Sequence, residues 1–409
     1  MTEELDTGLR ALELWSLDGS AVDSMQITSA FDGGNIRVLD SSDPANVRLE
    51  IVPDQHARYY QWFYFRLCGA KGVPCRLRIE NAGGAYVGGW DGYRAVASID
   101  RRTWLRVPTS YADGILTIEL EPQSNSVYLA YFAPYSMERH DDLIATCLAT
   151  GRAEMEIVGK SLDGRNIDLL RVGAPAAESL VVWITARQHP GEVMAQWWAE
   201  GFLERLLDVE DETAAKLRES AVFYIVPNMN PDGSRRGHLR TNAAGVDLNR
   251  AWSAPDESTM PEVYFVRQRM LAVPPDLHLD VHGTEDMPHV FAVGPQGPTA
   301  HSEPIAGLVR EFKAAMLAEC ADFQVEQEFP VPRPEDADLS IASNYLCEAY
   351  GWLSITLEMP FKDTTHTPDR KFGWSPQRSK RLGAGTLDVL ATMIAPLRQR
   401  RSLRERARR

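Results

Sequence analysis

The feature that most narrows the possible folds is a change of pattern near residue 141. From about Ile27 to Ala133 the chain reads as short segments rich in β-branched and aromatic residues, separated by turn-prone clusters; RYYQWFYFRLC (Arg58 to Cys68), CRLRIE, GILTIEL and SVYLAYFA are examples. Several of them alternate apolar and polar residues, as a strand with one packed and one wet face does, which predicts an antiparallel β-sandwich or barrel. After about Asp141, short apolar runs such as LVVWITA (Leu180 to Ala186), AVFYIVP, LHLDVHG and LSITLEM alternate with helical stretches. That alternation predicts an α/β sheet with helices on its faces. The stretch VMAQWWAEGFLERLL places Met194, Trp198, Phe202 and Leu206 on one helical stripe, expected to be buried.

A chain of 409 residues exceeds one core of usual size, so we divide it into a β-sandwich domain (1–140), an α/β domain (141–397) and an Arg-rich tail (398–409). The tail carries seven arginines and one glutamate, and is expected to be the frayed, solvated end of the last helix. A net charge of −14 argues against nucleic acid as a partner, because phosphate contacts need a basic surface. The five scattered cysteines lack any CxxC pair, the opening MTEELDTGLRALELW lacks a basic-then-apolar leader, and no segment approaches 18 uninterrupted apolar residues. A cytoplasmic protein without a membrane partner is the expectation; the oligomeric state is not legible.

Chemistry concentrates in four blocks. LVVWITA runs into Arg187-Gln188-His189-Pro190-Gly191-Glu192, placing an imidazole and a carboxylate three residues apart beyond a strand end, where α/β sheets gather their ligands. Such an N/O pair suits zinc, which needs a third protein ligand if it is catalytic. Asn228-Met229-Asn230-Pro231-Asp232-Gly233 is dense turn chemistry, followed by Arg240 and by Asp247-Leu248-Asn249-Arg250, whose guanidiniums are suited to carboxylates. In LHLDVHG, strand alternation puts His278, Asp280 and His282 on one face, and either histidine could be the third ligand. Glu358 lies at the end of the apolar strand SITLEMPF, where an unpaired carboxylate would be costly to bury.

In this order the four blocks resemble the zinc carboxypeptidase family over roughly Ala153 to Met359. Phe31-Asp32-Gly33-Gly34-Asn35, Gln61-Trp62-Phe63-Tyr64-Phe65 and Pro134-Tyr135-Ser136 are similar to the N-terminal domain of its cytosolic carboxypeptidase subfamily, bacterial type. The resemblance implies a mixed central sheet and one zinc per chain held by His189, Glu192 and His282, with His278 either packed or supporting the ligands from behind. It also implies that Asp247 orients the first histidine, that Arg240 stabilises the oxyanion, that Asn249 and Arg250 clamp the terminal carboxylate of a peptide or protein, and that Glu358 is general base and then general acid. Digestive members add an active-site tyrosine, for which Tyr345 is the nominee. Ser340 to Ile355 contains no Arg or Lys, which argues against the basic pocket that glutamate preference requires, unless Arg333, Lys362 or Arg370 supplies it. The rival readings are a zinc deacylase of N-acyl amino acids and a non-enzymatic binding module.

Overall fold

The structure, a computed structural model, describes residues 25–176 and 178–408. The opening stretch read for a leader and the final Arg409 lie outside the described residues.

The N-terminal half is built on two five-stranded sheets. One runs in the order Gln26–Thr28, Tyr64–Cys68, Ser126–Ala130, Val96–Ser98 and Leu105–Arg106, with every neighbour antiparallel. The other runs Arg37–Asp40, Val47–Glu50, Cys75–Ile79, Ile115–Leu120 and Thr109–Ala112. Here the sandwich departs from the antiparallel expectation, because Val47–Glu50 and Cys75–Ile79 pair in parallel. Between them the chain crosses to the first sheet through Tyr64–Cys68, and a crossover lets it return in the same direction, which a hairpin cannot. Only the second part of RYYQWFYFRLC is strand. Ahead of it, Gln61 Nε2 donates to the Tyr131 hydroxyl (2.8 Å) and Trp62 Nε1 donates to the Gly33 carbonyl (2.8 Å), fixing an irregular segment through side chains.

After a helix over Met137–Ala149, the second half forms a seven-stranded mixed sheet. Its order is Ala153–Lys160, Asn166–Val172, Ala221–Val226, Leu180–Ala186, Leu277–Thr284, Leu353–Pro360 and Phe291–Val293. The four strands from Ala221–Val226 to Leu353–Pro360 are mutually parallel, and antiparallel neighbours flank them. Helices cover the parallel core, which is why these strands read as nearly continuous apolar runs. The helix Val193–Leu206 is buried almost all round, well beyond the expected stripe, because the helix Pro376–Arg408 lies against it. Two glycines allow that approach: a Cβ on Gly201 would stand 2.2 Å from the Lys380 carbonyl oxygen, and one on Gly383 2.1 Å from that of Trp198.

The arginine-rich end corrects the expectation of a frayed tail. Arg398–Arg408 continue the last helix, Arg400 is buried against the Gly351 carbonyl, and Arg401 pairs with Asp276. These contacts tie the helix end to the segments that enter the strands Leu277–Thr284 and Leu353–Pro360, where a solvated end would have none. No described helix is long and apolar enough to cross a membrane.

The halves are joined by polar groups as well as by a shared core. Asp32 Oδ2 accepts the Met137 N–H (2.7 Å), and Asn35 Nδ2 donates to the Gly237 carbonyl (2.9 Å). Buried Asp54 accepts the N–H groups of Leu239 (2.6 Å), Arg240 (2.8 Å) and Thr241 (2.8 Å). These bonds take the N-terminal half to the loop that carries Arg240.

Candidate metal centre and active-site cleft

A cavity of about 390 Å³ opens beyond the carboxyl ends of the parallel strands. The strand Leu180–Ala186 is turned into it by Arg187, a non-glycine residue at φ 58°. Left-handed backbone is strained for such a residue, and here the guanidinium holds it by donating to the Pro190 carbonyl (2.8 Å), the Tyr135 carbonyl (2.9 Å) and Gln196 Oε1 (2.7 Å). Gly191 follows because a Cβ there would lie 2.8 Å from the Leu239 carbonyl oxygen. The turn delivers His189 to the cleft and leaves Glu192 as the residue capping the helix Val193–Leu206.

His189, Glu192 and His282 converge, with one donor atom from each lying within 4.8 Å of the others. His189 Nδ1 meets Glu192 Oε1 at 2.7 Å, and His282 Nδ1 meets Glu192 Oε2 at 2.8 Å. The opposite ring nitrogens face carboxylates: His189 Nε2 stands 3.0 Å from Asp247 Oδ1, and His282 Nε2 3.0 Å from Asp280 Oδ2. Gln188 Nε2 and Asn249 Nδ2 also lie 3.4 Å from His282 Nε2, but amide nitrogens are donors, so the ring proton belongs to Asp280. With a cation at that point, both rings would keep the Nε2 proton on these carboxylates and turn the Nδ1 lone pair toward it. Two imidazoles and a carboxylate, each imidazole backed by a second carboxylate, fit a zinc ion and leave its fourth position open.

The electrostatics agree with a cation at that point. Burial works against the charged form of Glu192, yet the two imidazoles hold its carboxyl down at about 2. Burial likewise opposes ionisation of Asp280 and Asp247, and their histidine partners keep both well below the usual carboxylate range. Glu358 differs: burial pushes its carboxyl far up, and its Oε2 is buried without a hydrogen-bond partner while the residue lines the cavity.

Arg240 Nε donates to Asp247 Oδ2 (2.7 Å), so one aspartate holds both His189 and Arg240. Asn249 Oδ1 accepts the Ala342 N–H (2.9 Å), while half-exposed Arg250 lies 3.3 Å from Asp338; both line the cavity. The Asn-Pro-Asp-Gly block stays behind the cleft. Asn230 caps the short helix Pro231–Arg236 and donates to the Gln188 carbonyl (3.0 Å), which ties that turn to the residue before His189.

The comparisons with known proteins follow the same division. A model of the cytosolic carboxypeptidase N-terminal domain matches residues 27–132, and one of zinc carboxypeptidase matches residues 148–314. An uncharacterized protein of Zymomonas mobilis is 47% identical over 375 residues, spanning 91% of this chain and 98% of its own length. The chain belongs to the zinc carboxypeptidase family. The crystal structure of a metallo-carboxypeptidase from Burkholderia cenocepacia has 42% identity and a TM-score of 0.89, covering 91% of this chain and 99% of its own. A metallo-carboxypeptidase from Pseudomonas aeruginosa, in complex with (2-guanidinoethylmercapto)succinic acid, has 44% identity and a TM-score of 0.89, covering 91% and 100%. Mouse cytosolic carboxypeptidase 1 is 27% identical over 323 residues, and the match spans only 26% of that longer protein.

For this metallocarboxypeptidase, three sequence expectations need revision or placement. Tyr345 does not line the cavity: its hydroxyl meets that of Tyr350 at 3.3 Å, and the Arg267 guanidinium lies over its ring. It occupies the helix Ala342–Tyr350, whose Ser343 and Asn344 take the cleft-facing positions instead. His278 packs between Thr185 Oγ1 (2.8 Å) and Ser354 Oγ (2.7 Å), and burial lowers it to about 4, which makes it a neutral core residue. Arg333, Lys362 and Arg370 do not line the cavity either. Sequence reasoning missed Tyr86 and Glu285 as cavity residues and gave Asp280 and Asp54 no role. Asp280 alone carried a signal, the strand alternation that puts it on the face of His282.

Proposed function

We propose that the chain removes C-terminal residues from peptides or proteins, with one zinc ion held by His189, Glu192 and His282. The carrying observation is the convergence of those three donors beside Glu358, whose buried Oε2 has no partner and lines the same cavity. Bound zinc supplies Lewis acidity, which polarises the scissile carbonyl and acidifies the attacking water. Glu358 takes the proton of that water as its oxygen bonds to the carbonyl carbon, then gives it to the amide nitrogen as the C–N bond breaks. Arg240, fixed by Asp247, places its guanidinium where negative charge grows on the carbonyl oxygen.

Arg250 and Asn249 bind the free carboxylate that an internal peptide bond lacks, which makes the reaction exopeptidic. The Pseudomonas aeruginosa relative binds a succinic acid, a carboxylate ligand of the kind this pair would take. Gln296, Ser343, Asn344 and Thr356 add neutral polar lining, so a neutral C-terminal side chain suits the cleft better than glutamate. Five free thiols suit a reducing, cytoplasmic location.

The test is metal content together with hydrolysis of peptides ending in Glu, Asp, Lys, Leu or Phe, with Glu358→Gln as the comparison. One zinc per chain and stepwise C-terminal release, abolished in the variant, is the expected outcome. Zinc with release from N-acyl amino acids but from no peptide would transfer the assignment to a deacylase, and absence of zinc would sink both.

A further inference from the structure

The active-site cavity has one wall that the α/β half does not build. Among the described residues lining it, Tyr86 is the sole contribution of the N-terminal half. It stands in the glycine-rich loop between the strands Cys75–Ile79 and Val96–Ser98, beside Val87, which is 95% exposed at the loop tip.

The loop is held firmly for so exposed a segment. The Tyr86 N–H donates to Gln61 Oε1 (3.0 Å), and buried Gln61 is anchored in turn on the Tyr131 hydroxyl. Lys362, two residues beyond the Glu358 strand, donates from Nζ to the carbonyls of Gly88 (2.9 Å) and Asp91 (2.8 Å). The Tyr86 ring lies nearly parallel to that of Tyr59, with centroids 6.4 Å apart and planes 16° apart, and the Arg240 guanidinium stands 5.7 Å from the Tyr59 centroid. Gly89 lets the loop close on Gln61, since a Cβ there would lie 2.4 Å from Gln61 Nε2. A loop fixed at four points around one tyrosine is built to present that side chain.

What it presents is a donor. Burial, with Glu285 next, pushes the phenol up beyond the working range of any peptidase, so the hydroxyl keeps its proton. No described residue occupies that hydroxyl with a hydrogen bond, and the stack on Tyr59 links the ring to the Arg240 guanidinium. Tyr86 therefore belongs to the Arg240 side of the cleft.

We infer that Tyr86 contacts the substrate, its hydroxyl donating a hydrogen bond to the peptide carbonyl one residue upstream of the scissile bond. This rests on the carboxypeptidase reading above and adds a subsite to it: the N-terminal half selects chains of at least three residues, because a dipeptide has no carbonyl at that position.

The test is Tyr86→Phe, which removes the hydroxyl and keeps the ring, measured on a dipeptide and on the tripeptide extended by one residue at its N-terminus. With zinc content and melting temperature unchanged, kcat/KM for the tripeptide should fall about fivefold, as for one neutral hydrogen bond, while that for the dipeptide changes less than about twofold. Calorimetric titration of both peptides into zinc-loaded Glu358→Gln, with and without Tyr86→Phe, should show the same length dependence in Kd. Equal responses for the two peptides, or none, would overturn the assignment. Failure of the unmodified enzyme to release a residue from either peptide would instead remove the carboxypeptidase reading, and the titration keeps the two failures apart.

Discussion

The two halves of the molecule meet the cleft with different kinds of group. The α/β half aims side chains into the cavity from strand ends and the loops after them, as with His189, His282 and Glu358. Apart from Tyr86, the N-terminal half grips backbone: Asp54 holds three successive N–H groups around Arg240, and Asn35 holds the Gly237 carbonyl. A side chain that performs chemistry can be exchanged with little change in fold, whereas a group that holds backbone carries position and stability together. The comparison breaks if substitutions on the two sides have the same signature.

The largest effect should come from the α/β side. Glu358→Gln keeps the shape of a buried carboxyl that already lacks a partner on Oε2, so folding and zinc content should stay as they are. Loss of the proton carrier should lower kcat by about a thousandfold, within the range for general acid–base groups. A melting curve, a metal assay and steady-state kinetics on one peptide check this together; a comparable loss of stability would refute the division.

Asp54 should behave in the opposite manner. Asp54→Ala leaves the N–H groups of Leu239, Arg240 and Thr241 unpaired in a buried place, and is expected to cost about 3–5 kcal/mol of stability. The loop carrying Arg240 then loses its anchor, and kcat should fall about ten- to a hundredfold with KM little changed and zinc retained. Asp54→Asn keeps one acceptor oxygen and should recover part of both losses. Chemical denaturation and kinetics of the two variants measure this, and a fall in activity without a fall in stability would show that Asp54 acts by another route.

The same difference explains what could be read from the chain. The strand Leu180–Ala186 was legible to the residue because a strand buried on both faces is a continuous apolar run. His189, Glu192, His282 and Glu358 stood out because ionisable groups at the ends of such runs need a reason to be there. Asp54 and Tyr86 carry no such mark. Their partners lie far away along the chain, with 185 residues separating Asp54 from Leu239, and no periodicity encodes a contact across domains. Tyr345 was misplaced for a related reason: helix phase decides which residue of Ala342–Tyr350 faces the cleft, and Ser343 and Asn344 have it. The parallel pair in the sandwich was hidden because alternation reports burial and says nothing of strand direction.

A buried carboxyl away from the cleft sharpens the comparison from a third position. Glu262, in the first turn of the helix Pro261–Ala272, is fully buried; its Oε2 accepts from Asn242 Nδ2 (3.1 Å) and its Oε1 has no partner. Burial raises its carboxyl from the ordinary 4.5 to about 7, with Asp232 and Asp163 adding to the rise. The folded state thus keeps its proton where the unfolded chain has lost it, so this group's contribution is intact below about pH 4.5 and stability falls as pH rises toward 7. Glu262→Gln keeps the acceptor for Asn242 and removes the charge. It should stabilise the protein by about 3 kcal/mol at pH 8 and by almost nothing at pH 4, with kcat/KM unchanged at both. Asp54 accepts three backbone N–H groups, whereas a single amide reaches Glu262, so burial prevails there. Denaturation curves at the two pH values decide the point, and a variant equally stable or less stable at pH 8 would mean that Glu262 finds partners when it ionises.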